Sequence, residues 1–163
     1  MVKGSVPTVS VKGATRWRIR RSTVERAVLA TLESAAPRVR GEVTVVLTGD
    51  PEIRRLNRDF RGKDRATDVL SFDIGDGRQG GEPFGDIVIS VQTALQQARA
   101  YDAPLDEELR RLVVHGALHL CGFDHQDRKE AARMHGLTRR LVARLAGEGR
   151  AQARPSKARR VRD

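Results

Sequence analysis

Cysteine is almost missing. Cys121 is the only one in 163 residues, so no intramolecular disulfide can form and a secreted, disulfide-stapled scaffold is excluded. A reducing, cytoplasmic compartment fits that usage. Long apolar runs are missing too: stretches such as Val43 to Leu47, interrupted by Thr44, fall far short of the ~20 residues needed to span a bilayer. Neither a transmembrane helix nor a secretory apolar segment is expected, and no membrane partner. Aromatic residues make up only 4% of the chain, so base stacking is a scarce resource. Phe60 and Phe84 are the candidates, and a core role is the competing expectation for each. Positive charge is in excess. Against 21 Asp plus Glu stand 31 Lys plus Arg, a formal +10 that points to a polyanionic partner such as nucleic acid.

The charge is unevenly placed. Residues 1–21 carry six basic residues and no acid, and residues 148–163 carry six basic and two acidic residues, which leaves residues 22–147 with no net charge. Three regions follow: a basic N-terminal leader with an edge strand (1–21), a single domain able to enclose a core (22–147), and a disordered basic tail (148–163). The tail reads either as a solubilising extension or as an arm that contacts nucleic acid. The leader, poor in acids and bearing Arg and Ser, has the make-up of an organellar transit peptide, but no long amphipathic helix accompanies it. In it Val9/Val11 and Trp17/Ile19 alternate as strand residues do.

Within the central region, Ser22-Thr23-Val24-Glu25 reads as a capping box that opens a helix stopped by Pro37. Val43, Val45 and Leu47 mark a strand. Asp50 as N-cap, with Pro51 behind it, opens a helix through Ile53, Leu56 and Phe60 that Gly62 closes. Thr67 to Ile74 is a second strand, and a glycine-rich loop leads to a third, Asp86 to Ser90. Helices follow to about Ala100, from Pro104 to about Leu120, and from about Asp127 to Leu145. Strands and helices mix without strict alternation, so the expected fold is α/β (α+β): a small mixed sheet of about four strands packed against several helices.

His115-Gly116-Ala117-Leu118-His119-Leu120-Cys121-Gly122-Phe123-Asp124-His125 is the most informative segment. His115 and His119, four apart near the end of a helix, share one face about 5–6 Å apart at Cβ, close enough to hold one metal ion. Gly122 suits the left-handed residue that ends a helix, and the reversal brings His125 round as a third ligand. Three neutral imidazoles leave an ion's double charge uncompensated and a coordination position open, the arrangement of catalytic zinc, with a bound water of pKa roughly 7. Metzincin proteases use the same spacing with a glutamate as general base, a role worth roughly 100-fold to 10,000-fold. Here Gly116 stands in its place, which counts against a metzincin-like metalloprotease. Cys121 lies off the face of His119 and reads as a small buried hydrophobe, and His135 as solvent-exposed.

The run His115 to His125 resembles the H-G-x-L-H-L-x-G-[YF]-D-H signature of the YbeY family of bacterial endoribonucleases and rRNA maturation factors. Leu56 to Phe72 is similar to that family's L-N-x-x-[YF]-R-x-K-D-x-x-T-D-V-L-S-F block, and Gly85 to Ser90 to its G-D-I-x-I-S strand. The resemblance covers about residues 40–147. Ala66 stands where proline is common in the family, and Phe60 and Phe123 where tyrosine is frequent. The resemblance implies a zinc-dependent, single-strand-specific endoribonuclease of 16S rRNA 3′-end maturation and ribosome quality control, with one Zn2+ per chain. The zinc would be held by His115, His119 and His125 at the end of a central helix. It further implies single-stranded RNA, precursor 16S rRNA, the small subunit and 70S ribosome, the Era GTPase and a small-subunit ribosomal protein as partners.

On the matching positions Arg61 and His115 would be catalytic. A guanidinium offers phosphate a bidentate fork, whereas spacing alone also allows Arg61 to be a solvated charge at a helix C-terminus. Around it lie Arg54, Arg55, Arg58, Lys63 and Arg65, with Arg58, Lys63 and Arg65 the candidates for tracking an RNA backbone. Asp59 and Asp64 interrupt them, as on a salt-bridged helix. Asp124 is placed either to orient an imidazole or to bond its own turn. Asp86 and Ser90 are assigned to the site only through the family block. No general base is evident. A second reading stands beside the nuclease, a ribosome-assembly factor whose metal is structural.

Overall fold

A computed structural model describes residues 6–153, with side chains described through Gly149. The order of elements is β1 (Thr8–Lys12), α1 (Ala14–Trp17), α2 (Arg21–Ala35), β2 (Glu42–Thr48), α3 (Asp50–Arg61), β3 (Val69–Asp73), β4 (Pro83–Ser90), α4 (Val91–Ala100), α5 (Leu105–Leu120) and α6 (Arg128–Ala153). The four strands form one mixed sheet in the order β1-β2-β4-β3, with β1, β2 and β4 parallel and β3 antiparallel at the edge. This is the expected α/β class and strand number. No helix among the described residues is long and apolar enough to cross a membrane.

Alternation along the strands divides the core in two. Val11, Val43, Val45, Leu47, Ile87 and Ile89 point to the face covered by α2 and α5, where the main cluster is buried. Leu70 and Val88 point the other way and meet Ile53 of α3 in a smaller cluster. Helix α5 lies close on the sheet because two glycines let it. A Cβ on Gly85 would meet the Leu120 side chain at 2.4 Å, and one on Gly116 would meet Ile87 at 2.8 Å and the Ser71 hydroxyl at 3.1 Å. The same contact explains why Gly116 cannot stand in for the protease glutamate: its side-chain direction leads into the sheet.

Local expectations were altered in five places. Helix α2 begins two residues earlier than the capping box allows; its N-cap is Arg20 and no side chain caps it. Gly49, not Asp50, is the N-cap of α3. Asp50 instead accepts hydrogen bonds from the Ser90 hydroxyl at 2.5 Å and the Thr93 hydroxyl at 2.6 Å, which ties α3 to α4. Trp17 ends α1 and Ile19 follows it, buried beside Ala14, so that part of the leader is helical rather than extended. Phe60 is 69% exposed and packs edge-on against Phe72 with centroids 5.4 Å apart, whereas Phe84 is buried as expected. Helix α6 runs past Leu145 to Ala153, because Leu141 and Leu145 keep its apolar stripe against the core. Residues 148–153 of the expected tail are therefore helical, and residues 154–163 lie outside the described residues.

Candidate functional site

The end of α5 builds the centre of the site. His115 and His119 lie one turn apart on the same face, their Nε2 atoms 3.1 Å from each other. After Leu120 the helix closes in a Schellman arrangement: the Phe123 N–H donates to the Leu118 carbonyl at 3.1 Å and the Gly122 N–H to that of His119 at 3.0 Å. Gly122 takes φ +96°, a left-handed conformation that glycine adopts without cost. The turn it makes carries His125 back over the helix end. Its ring stacks on His115 with centroids 5.1 Å apart and an interplanar angle of 22°.

One donor nitrogen from each of the three imidazoles falls within 4.8 Å of the others, and these three are the only His, Cys, Asp or Glu group of this kind among the described residues. Two nitrogens bound tetrahedrally to one zinc at ~2.0–2.1 Å would lie roughly 3.3 Å apart. The 3.1 Å between His115 and His119 fits that spacing closely. Burial, followed by the neighbouring His119 and His125, lowers the pKa of His115 to about 4, and burial lowers that of His119 as well. Both rings are thus neutral at pH 7, the form that ligates. Cys121 is half-buried, burial pushes its thiol up to about 11, and it is not part of the histidine group.

The lowered pKa sets a testable pH dependence for the metal-free protein. Above pH 6.5 His115 is neutral in both folded and unfolded chains. As the pH falls from 6.5 to about 4 the unfolded chain binds the proton and the folded one does not, so stability drops, and below about 4 the loss levels off. Thermal unfolding of chelator-treated protein over this interval checks it, and His115→Gln should flatten the curve. A melting temperature that rises on acidification would contradict it.

A polar cleft of about 400 Å³ opens beside the imidazoles, lined among others by Arg61, Ser71, Asp73, His115, His119 and Asp124. Arg61, in the last turn of α3, donates from Nη2 to the Ser71 carbonyl at 2.7 Å, and its guanidinium lies 5.8 Å from the centre of the Phe72 ring. The Ser71 hydroxyl in turn donates to the Gly116 carbonyl at 2.9 Å. Edge strand β3 therefore links the arginine to the helix that bears His115 and His119. Asn57 braces the loop behind: it is buried, donates from Nδ2 to the Arg65 carbonyl at 2.9 Å, and its own carbonyl accepts from the Lys63 N–H.

Of the other residues singled out from sequence, Asp124 lines the cleft but spends Oδ1 on the N–H of His125, at 2.7 Å, bonding its own turn. Asp86 and Ser90 are not brought into the cleft. Strand β4 aims Asp86 at the other face of the sheet, near Lys12 and Glu42, and burial raises its pKa. Ser90 is fully buried and caps α4 by accepting from the Thr93 N–H. Arg58, Lys63 and Arg65 are exposed and do not line the cleft; Arg58 pairs with Asp59 and Arg54 with Asp64. Ser71 and Asp73 were missed as site residues. The signal for them was period two: with Val69 they occupy the β3 positions that face α5, and two polar residues on that face mark where it opens to the cleft.

A mixed α/β domain with three imidazoles close enough together to hold one metal ion, two of them lining a polar cleft that a guanidinium also lines, is the class of protein that the fold and site define. Within that class, the chain belongs to the YbeY family: the model described as "Endoribonuclease YbeY" matches residues 12–146. Curated relatives called endoribonuclease YbeY include one from Myxococcus xanthus, 42% identical over 86% of this chain, and one from Azorhizobium caulinodans, 42% identical over 74% of it. The match spans 48% of the Myxococcus protein and 76% of the Azorhizobium protein. The solution structure of TM1509 from Thermotoga maritima is similar with a TM-score of 0.62 at 25% identity, over 95% of this chain and 99% of that one.

Delivery of His125 depends on one backbone conformation. Gly122→Ala forces a Cβ into the left-handed region at a cost of about 1–2 kcal/mol. The expected result is a lower melting temperature together with weaker metal retention in a competition with a chelator. Stability and metal retention equal to wild type would show that the turn does not set the ligand.

Proposed function

We propose that this chain is a zinc-dependent endoribonuclease specific for single-stranded RNA. The observation that carries the reading is the convergence of three imidazoles, two of which, His115 and His119, line a cleft that Arg61 also lines. His115, His119 and His125 would hold the zinc, which would supply Lewis acidity toward a phosphodiester. Arg61 binds the non-bridging oxygens. One guanidinium N–H is spent on the Ser71 carbonyl, which fixes the plane, and the remaining donors face the cleft where negative charge grows in the transition state. Asp73, exposed at the cleft wall, is the carboxylate placed to accept a proton from the attacking oxygen. His115 and His119 stay neutral and hold their geometry.

In keeping with the family, the substrate is precursor 16S rRNA, cut at its 3′ end during maturation and on defective ribosomes in quality control. Small subunits, 70S ribosomes, the Era GTPase and a small-subunit ribosomal protein are partners in that reading, and the cytoplasm its setting. Cleavage is tested on a labelled single-stranded RNA by protein of known metal content, before and after chelation and after zinc is restored. Full cleavage by the stripped protein would refute the metal's role. Mapping the ends decides the nucleophile: a 2′,3′-cyclic phosphate, or the 3′ phosphate it hydrolyses to, beside a 5′-hydroxyl marks attack by the 2′-hydroxyl, and a 5′ monophosphate beside a 3′-hydroxyl marks attack by water.

The assembly-factor reading predicts metal without turnover under the same conditions. The protease reading meets an obstacle in the fold, because a side chain at Gly116 would collide with Ile87 and crowd the Ser71 hydroxyl, so the sheet leaves no room for a glutamate there.

A further inference from the structure

On another face of α5, away from the histidines, four arginines surround a second cavity of about 320 Å³. Arg18 and Arg20 come from the turn before α2, Arg26 from α2 itself and Arg110 from α5, with Gly149 of α6 closing one side. Arg110 lies five residues before His115, about 140° round the helix and roughly 7–8 Å along its axis. Asp106 is the one carboxylate in the lining. None of the four guanidiniums has a carboxylate within 4.0 Å among the ion pairs of the described residues. The arginines of α3 behave differently: Arg54, Arg55 and Arg58 each have an acid.

Four guanidiniums against one carboxylate repel one another, and the free protein bears that cost. A chain of phosphates would relieve it, since each phosphate accepts a bidentate fork. An adjacent Gly149 leaves room there: a Cβ at that position would come within 2.9 Å of the Arg110 Nη2. Beyond Ala153 the sequence adds Arg154, Lys157, Arg159, Arg160 and Arg162 against Asp163.

We infer that this cavity binds the phosphodiester backbone of a single strand and is a second anchoring site for the RNA that the imidazole cleft cuts. The inference rests on the nuclease reading for the identity of the strand, and on the arginines for the contact. It separates two tasks. The cleft handles one phosphate, and the arginine cavity holds a neighbouring stretch without chemistry and without reading bases.

The test uses the full-length, metal-loaded protein and a fluorescent 20-nucleotide single-stranded DNA, which carries the same backbone and resists an RNA-cutting enzyme. Anisotropy gives its affinity over a series of salt concentrations. Losing one phosphate contact lowers the slope of log K against log salt by about 0.7 and the affinity at 0.1 M by roughly 5-fold. Arg20→Ala with Arg26→Ala should therefore lower the slope by about 1.4 and the affinity roughly 25-fold, and Arg110→Gln alone should move both in the same direction. The control is Arg38→Ala with Arg99→Ala, which removes equal charge from exposed arginines that do not line the cavity. On RNA, the first pair should raise KM and leave kcat unchanged.

Equal losses in both pairs would mean a diffuse charge effect and overturn the site, as would unchanged binding in the first pair and in Arg110→Gln. If wild type cuts RNA while neither change matters, the cavity is wrong and the nuclease stands. If wild type cuts nothing but loses DNA affinity with Arg20 and Arg26, the anion site stands and the nuclease reading fails.

Discussion

Replacing Arg61 by glutamate is expected to lower cleavage of single-stranded RNA by about 100-fold to 1,000-fold or more, with the metal content of the purified protein unchanged. The lower figure is what removal of one positioned donor to a developing oxyanion costs. Glutamate adds repulsion toward the phosphate. The separation of the two readouts follows from the geometry: Arg61 touches the Ser71 carbonyl and the Phe72 ring but no imidazole, so the metal ligands keep their places. Arg61→Lys should recover only part of the rate, because an ammonium can meet the Ser71 carbonyl or the phosphate as a point charge and cannot hold both in one plane. Arg58→Ala, on an exposed side chain paired with Asp59, should change the rate little. Single-turnover rates on a short RNA, set beside metal analysis of each variant, decide it. An active Arg61→Glu protein would remove the arginine from the mechanism.

Arg61 also shows where sequence reading reaches and where it stops. Spacing alone placed it at a helix end, which α3 and its Gly62 cap bear out, and left open whether it faced solvent or ligand. What turns it toward the imidazoles is a tertiary relay, Arg61 to the Ser71 carbonyl and the Ser71 hydroxyl to Gly116, formed across 10 and 45 residues of chain. No local pattern encodes such a contact. The histidines were legible because their chemistry is local: an i, i+4 pair on one helix and a glycine three residues on determine most of the geometry without the rest of the fold. The mixed sheet was legible for a similar reason, since alternation in β2 and β4 is strong.

Failures occurred where two local signals competed for one side chain. Asp50 carries the mark of an N-cap, yet the hydroxyls of Ser90 and Thr93 claim its carboxylate, and the helix starts one residue early. Asp86 and Ser90 sit in a block that the family shares, but strand pleat sends Asp86 to the far face and burial makes Ser90 a cap. Shared sequence there records the packing of β4. The charge of +10 was informative only after it was located: residues 22–147, which include the three histidines, are neutral overall, and clusters matter more than the total.

His119→Ala carries the other large expected effect, on binding and stability together. His115 and His119 project from a buried, regular helix with Nε2 atoms 3.1 Å apart, so the pair is ordered before any ion arrives, whereas His125 is exposed on a turn. Deleting a ligand must cost at least what loss of an outer-shell partner does, about 10-fold to 100-fold in metal affinity. Deleting one of the preformed pair should exceed it. Stability reports this without any assay of cleavage. Zinc at 100 times its dissociation constant stabilises the folded chain by about 2.7 kcal/mol, which for a domain of this size raises the melting temperature by roughly 5–10 °C. Wild type stripped of metal should regain that increment, and RNA cleavage with it, when zinc is returned. His119→Ala should regain neither, while His125→Ala should show a reduced shift that higher zinc partly restores. Equal zinc-dependent shifts in wild type and His119→Ala would place the ion elsewhere and remove the basis for the three-histidine centre.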